Sequence, residues 1–302
     1  MARLDVRKTY KLYIGGKFPR SESGRTYEVR SAAGAFLANA ALASRKDARD
    51  AVKAALAAQP KWAAATAYNR GQVLYRVAEV LEGRREQFVA EVADAEGLAA
   101  ESASAVVDAA IDRWVWYAGW SDKIAQVAGN ANPVAGPYFN LSVPEPTGVV
   151  AVVAPQASSL LGLVSVVAPV IVSGNTCIVV ASQERPLPAI TLTEVLGTSD
   201  LPGGVVNVLT GSTAEVTPWL ASHEAVRALD LAGATGLPGG ELLDWGAFEA
   251  AAAPTLTRVV RPAGDLPSTE PAVEPDWTAP PPGPARILAF TETKTVWHPK
   301  GR

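Results

Sequence analysis

The sequence predicts an α/β fold: a doubly wound parallel sheet with helices on both faces, plus a small separate β element. Three observations carry this. Four short apolar, β-branched runs (Val149–Ala154, Cys177–Val180, Val205–Leu209 and Val226–Leu231) have the continuous hydrophobicity of strands buried on both faces. Helical segments separate them at about Leu160–Val172, Pro188–Leu196 and Thr213–Ser222, the last opened by a Ser212/Glu215 capping signature. Strands alternating with helices imply right-handed crossovers and a Rossmann-type sheet. The third observation is the period-two alternation of residues 285–297, a strand lying apart from that βα series.

Ahead of the sheet, Lys11-Leu12-Tyr13-Ile14, Gly15-Gly16 and Lys17-Phe18 read as a β-hairpin, because a Gly-Gly pair supplies the positive φ of a tight turn. Ser44 with Asp47 caps a helix predicted over Ser44–Ala58, with Ala48, Ala51, Val52, Ala55 and Leu56 on one face. A second helix is expected from near Thr66, carrying Val73, Leu74, Val77, Val80 and Leu81. A third should run from Arg84 to Ala95 and stop near Gly97. Ser102–Val127 reads as a long helix whose Trp114, Trp116, Tyr117 and Trp120 pack a core or an interface. Tyr138-Phe139-Asn140-Leu141-Ser142-Val143 gives a hairpin near 136–146. After Gly236 the composition shifts: 237–284 is Gly/Ala-rich and then proline-rich, including Pro280-Pro281-Pro282, and reads as a semi-rigid linker. The domain organisation expected is therefore 1–236, a linker over 237–284, and a C-terminal strand within 285–302.

Composition excludes several classes. The 302 residues carry a net charge of −3, 48% hydrophobic and 19% charged residues, so there is no general attraction to nucleic acid or anionic membranes. The longest apolar run, Leu160–Val172, is too short for a membrane helix, which needs about 20 residues. One cysteine permits no internal disulfide, and Met1-Ala2-Arg3-Leu4-Asp5 opens no secretory segment; a cytoplasmic protein is expected. His223 and His298 stand alone without ligand spacing, so no metal site is expected. Asp94 and Glu96 read as solvated residues at a helix end. Cys177, within a buried strand, reads as a small hydrophobe.

Glu145-Pro-Thr-Gly-Val-Val, then Ser173-Gly-Asn-Thr-Cys-Ile-Val-Val, then Leu201-Pro-Gly-Gly-Val-Val-Asn-Val-Leu-Thr-Gly resemble, in order and spacing, the nucleotide-binding half of the aldehyde dehydrogenases. The opening Ile14-Gly-Gly-Lys-Phe and the closing Phe290-Thr-Glu-Thr-Lys-Thr-Val are similar to the same family, whose final strand joins an oligomerisation sheet.

The resemblance implies chemistry that this chain departs from. The oxyanion Asn of the first βα turn falls on Ala157, with Gln156 and Ser158 as the neighbouring polar groups. The ribose-binding Lys and Glu fall on Val180 and Gln183. The turn Ala232-Gly-Ala-Thr-Gly, which resembles the family's pyrophosphate-facing turn, runs into Leu237-Pro-Gly-Gly rather than a helix. Glu241-Leu-Leu-Asp lacks the general-base context, and the downstream nucleophile has no counterpart, Cys177 being elsewhere.

The expectation is a degenerate module with no catalytic residues of its own. Pro155, Gly211, Gly233 and Gly236 are left as vestiges of a cofactor site, with no tight cofactor and at most weak NAD(P) binding. The linker would stand in place of the catalytic domain. The retained strands place an interface at Phe139, Leu141, Val143, Phe290, Thr291, Lys294, Val296 and Trp297, for a full-length aldehyde dehydrogenase subunit or for self-association. The C-terminal strand would then add to the partner's sheet. The alternative reading is a weak NAD(P)-binding oxidoreductase or nucleotide sensor.

Overall fold

The computed structural model describes residues 8–237, 240–262, 267, 270–281 and 283–301. The expectations placed on Met1–Asp5, on Pro238-Gly239 and on Pro282 lie outside these residues.

The chain opens with a small sheet of β1 (Thr9–Tyr10), β2 (Thr26–Arg30) and β3 (Phe36–Ala41), in the order β1-β3-β2. Strand β3, Phe-Leu-Ala-Asn-Ala-Ala, is poor in β-branched residues and gives no strand signal in the sequence; the pairing supplies what its composition lacks. The Gly15-Gly16 turn forms as predicted, with φ of +60° and +78°, and Ile14 and Lys17 exchange both backbone hydrogen bonds. Its arms are short because Tyr13 pairs instead with Val208, docking the turn on the edge of the main sheet.

Four helices and a short fifth follow: α1 (Arg45–Ala64), α2 (Ala67–Gly83), α3 (Arg85–Glu96), α4 (Ala100–Trp120) and α5 (Ile124–Ala128). The Ser44/Asp47 capping box is complete, Thr66 caps α2, and Gly97 ends α3 in the left-handed conformation at φ +70°. Helix α1 runs six residues beyond its predicted end, through Pro60. The long aromatic helix is interrupted at 121–123. Trp114 and Tyr117 are fully buried, with Trp116 edge-on to Tyr117 at 4.8 Å, so these aromatics pack the core.

The remaining elements are β4 (Asn130–Asn132), β5 (Tyr138–Pro146), β6 (Val149–Val153), α6 (Leu161–Val172), β7 (Thr176–Val180), α7 (Leu187–Gly197), β8 (Val206–Leu209), α8 (Thr213–Ala221), β9 (Val226–Asp230), α9 (Trp245–Ala252), β10 (Arg258–Val260), α10 (Ala285–Leu288) and β11 (Thr291–Pro299). The central sheet is parallel throughout, in the order β10-β9-β6-β7-β8. Alternate strand residues enter two cores. Val150, Val152, Cys177 and Val179 pack with α2, α4 and α6, while Val149, Ala151, Val153, Ile178 and Val180 pack with α1, α8 and α9. Both faces being covered explains why the strand sequences are continuously apolar.

Three expectations need correction. The 237–284 stretch is not simply a linker: it holds α9, which buries Trp245 and Phe248, and β10, which adds a fifth parallel strand beside β9. A Gly/Ala-rich composition does not by itself mean a linker, because Ala is a strong helix former and α9 carries four of them. Residues 138–146 are one strand rather than a hairpin; β5 pairs antiparallel with β4 on one side and with β11 on the other. The C-terminal strand begins at Thr291, since Ala285–Leu288 forms one helical turn that drives Ile287 and Phe290 into the core.

Candidate functional site

The order in which strands are added reverses at β6. From β6 the chain winds out through β7 to β8, then returns to β9 on the other side of β6. The carboxyl ends of β6 and β9 therefore flank a crevice of the kind where open α/β sheets bind ligands. Three turns meet there: 154–160 after β6, 181–186 after β7, and 231–237 after β9.

The β6 turn is closed by its own chain. The Glu274 carboxylate accepts the backbone N–H of Ala157 at 2.8 Å and of Ser158 at 2.9 Å. It also accepts Trp277 Nε1–H at 3.0 Å and the Thr235 hydroxyl, from the β9 turn, at 3.5 Å. Glu96, at the end of α3, accepts both the N–H and the hydroxyl of Ser159 at 2.6 Å. Three successive backbone N–H groups thus point at two carboxylates, as in an anion-binding nest. Burial raises the Glu96 carboxyl above its ordinary range, against the lowering effect of the Ser159 bonds. Glu96 is therefore not the solvated helix-end group the sequence suggested, whereas Asp94 is exposed as expected.

The other polar groups of the crevice are spent on structure. Gln156 is fully buried: its Nε2 donates to Ala154 O at 2.7 Å, and its Oε1 accepts Gln183 N–H at 3.1 Å. The Ser158 hydroxyl accepts Gly162 N–H. Gln156 is thus committed to the turns themselves, and Ala157 has no side-chain donor. Gln183 Oε1 accepts the Thr213 N–H at the start of α8, and Val180 is buried in the sheet. Asp244 accepts Ala247 N–H and caps α9, whose first turn begins eight residues beyond the β9 turn.

The vestigial positions fall in two places. Pro155, Gly233 and Gly236 belong to the crevice turns. A Cβ on Gly233 would lie 2.3–2.4 Å from backbone atoms of Val153–Pro155, so only glycine lets the two turns touch. Gly211, at φ +127°, follows β8 at the edge of the sheet and packs on Leu42 and Ala43 rather than on the β6 or β9 turn. Cys177 is fully buried in β7, and that burial pushes its thiol far up, away from thiolate formation. His223 Nδ1 accepts Ala225 N–H in a local turn. Among the described residues no group of three His, Cys, Asp or Glu side chains is placed to hold a metal. No helix among them is long and apolar enough to cross a membrane.

Sequence reasoning missed Glu274, Trp277 and Arg113. Arg113, buried on α4, donates to Trp277 O at 2.9 Å, Ala279 O at 3.0 Å and Ser165 Oγ at 2.6 Å, fastening the proline-rich segment over the sheet. One acidic residue amid prolines gives no signal; only the fold brings it to a turn more than a hundred residues earlier.

The interface residues fall on the three-stranded sheet β11-β5-β4, but not on one face. The antiparallel register sets Val296 opposite Leu141, Lys294 opposite Val143 and His298 opposite Phe139. Directly paired residues share a face, so Phe139, Leu141, Val143, Val296 and Lys294 form one exposed, largely apolar surface, edged by the Lys294–Glu145 ion pair at 3.0 Å. Thr291 and Trp297 lie on the opposite face. That face is polar, with Asn132 Nδ2 donating to Asn140 and Ser142, and Ser142 sharing a hydrogen bond with Thr295. Phe290 is no interface residue. It is fully buried, and its carbonyl accepts from Thr147 N–H and Asn175 Nδ2. All nine residues of β11 pair with β5 in cis, and its outer edge is open.

Comparison with known proteins fixes the family: the aldehyde dehydrogenase family profile matches residues 18–238. The chain belongs to the aldehyde dehydrogenase family. It is 33% identical over 238 residues to the cytosolic 10-formyltetrahydrofolate dehydrogenase of Pongo abelii, covering 76% of this chain and 26% of that protein. The aldehyde dehydrogenase of Bacillus cereus, solved as an NAD+ complex, superposes with a TM-score of 0.77 at 25% identity, over 83% of this chain and 50% of that one. HpcC of Thermus thermophilus gives a TM-score of 0.76 at 27% identity, over 84% and 48%. The chain thus spans about a quarter of the formyltetrahydrofolate enzyme and about half of each solved dehydrogenase. The fold expectation, an α/β Rossmann-type sheet of this family, holds.

Proposed function

We propose that this chain is a non-catalytic aldehyde dehydrogenase-like subunit that associates with a full-length NAD(P)-dependent aldehyde dehydrogenase and supports or regulates it. The observation carrying this reading is a contrast between two regions. The crevice has its backbone donors consumed by Glu274 and Glu96, and the chain's single cysteine, Cys177, is sealed near the amino end of β7, away from the crevice. The apolar face of β5 and β11, by contrast, is complete, ordered by nine paired residues and exposed.

A dinucleotide does not fit the groups present. Two carboxylates line the β6 turn, and one of them, Glu274, also reaches Thr235 in the turn that resembles the family's pyrophosphate-facing one. Positions 180 and 183 hold a buried Val and an amide already engaged, and no helix follows directly on the β9 turn, α9 beginning only at Trp245. Tight NAD(P) binding is therefore not expected. The five clustered surface positions instead suit a hydrophobic contact with a similar sheet, in which exposed strand edges come together.

The test is co-expression with a full-length aldehyde dehydrogenase from the same cell, followed by native mass spectrometry and an NAD-dependent aldehyde oxidation assay. A stable hetero-oligomer, lost in Leu141→Glu or Val296→Glu, supports the subunit reading. Recovery of this chain alone overturns it, and aldehyde oxidation by the isolated chain overturns its non-catalytic part.

A further inference from the structure

We propose that the segment Glu270–Pro281 is a built-in stopper whose Glu274 carboxylate occupies, in cis, an anion-binding nest at the carboxyl end of β6. This deepens, and rests on, the reading of the chain as a subunit that holds no nucleotide.

The nest is formed by the successive N–H groups of Ala157, Ser158 and Ser159, a concavity suited to negative charge. Glu96 satisfies the last of these from within the helical layer. The first two are satisfied only by Glu274, which comes from a segment 117 residues away in sequence. The carboxylate is not there by chance of a loose loop, because each end of its segment is fastened. Trp245 Nε1 donates to Glu270 O at 3.0 Å, Ala272 is buried, and the Arg113 guanidinium holds the carbonyls of Trp277 and Ala279. Trp277 itself is buried and donates its indole N–H to the same carboxylate, fixing the rotamer that presents it to the turn. The Thr235 contact reaches the β9 turn, so Glu274 spans the two sides of the crevice. Arg185, donating to Ala157 O, is the nearest cation on the β7 side.

Charge-assisted hydrogen bonds of this kind are about twice as strong as neutral ones. A phosphate or pyrophosphate group approaching the turn would have to displace a tethered anion and then lie beside Glu96. The stopper therefore excludes phosphate-bearing ligands by occupancy and by repulsion together, and the nest beneath it remains formed.

The experiment compares the wild-type chain with Glu274→Ala and Glu274→Gln, using inorganic pyrophosphate and NAD+ as separate probes in calorimetric titrations. Amide hydrogen exchange is followed over 155–160 on the same samples. Removing the carboxylate is expected to speed exchange at Ala157 and Ser158 and to tighten pyrophosphate binding by about tenfold to a hundredfold, the worth of one to two charge-assisted bonds. Glu274→Gln, which keeps the shape and loses the charge, should give a smaller gain. Equal gains for both probes place the effect at the phosphates; a gain for NAD+ alone overturns the anion-nest assignment. Unchanged exchange at 157–158 in Glu274→Ala, or increased exchange with no gain for pyrophosphate, also overturns the proposal. Hetero-oligomer formation is read separately. A variant that gains no ligand but still associates removes only the stopper, and one that gains ligand while the chain never associates removes only the subunit reading.

Discussion

Arg286→Met should unfasten the C-terminal strand from the central sheet, and should do so in a pH-dependent way. Arg286, in the single turn of α10, donates through Nη2 to Asp230 Oδ2 at the end of β9; the other carboxylate oxygen accepts Ala232 N–H at 3.0 Å. Asp230 has no exposed surface, and burial raises its carboxyl above the ordinary range although Arg286 pulls it down. Removing one partner of a buried ion pair costs about 3–5 kcal/mol. Arg286 retains 23% side-chain exposure, so the lower end, about 3 kcal/mol, is expected. At about 2–4 °C per kcal/mol for a large domain, Tm should fall by about 6–12 °C.

The sign with pH follows from linkage. A carboxyl raised in the folded state contributes stability that is present below its unfolded value of about 3.9 and is lost as pH rises through the folded value. Without Arg286 that folded value moves higher still, so the penalty should be large near about pH 8 and shrink towards about pH 4. Asp230→Asn/Arg286→Met should regain most of the loss, because an amide can still accept Ala232 N–H without a buried charge. Thermal unfolding of the wild-type chain, Arg286→Met and the double variant at both pH values provides the assay. An equal penalty at the two pH values, or a double variant no more stable than Arg286→Met, would refute the reasoning.

Cys177 should fail to react with a thiol reagent in the native chain and react fully after denaturation, measured by reagent stoichiometry, because its burial is complete. Phe290→Ala should cost about 3–5 kcal/mol in denaturant unfolding, the range for emptying a buried Phe, whereas Leu141→Glu should leave stability within about 0.5 kcal/mol and change only association. Glu91 is raised mainly by burial, and its Oε2 lacks a hydrogen-bond partner, so Glu91→Gln should raise Tm near about pH 8 and not near about pH 4. By light scattering, the isolated chain should self-associate through β5 and β11, and Val296→Glu should reduce that association.

Local chemistry was legible in the residues themselves. The Ser44/Asp47 capping box, the Ser212 cap of α8, the Gly-Gly turn and the four apolar strands form where short-range rules place them, because each depends on neighbours a few residues apart. The family motifs were equally legible; several of their polar residues serve the fold, as when Asn175 joins Gly148 N–H to Phe290 O, and Asn207 holds the Gly15 turn. Tertiary structure alone decided the rest. Alternation in 285–297 could not show that its first residues turn into the core, since Ile287 and Phe290 meet buried neighbours supplied by distant segments. Register, which no single strand encodes, set Val296 beside Leu141 and Lys294 beside Val143 on one face of the β11-β5-β4 sheet. The filling of the crevice rests on contacts across more than a hundred residues, and such contacts leave no period or spacing in the chain: Glu274 acquires its role only where the fold sets it against Ala157 and Ser158.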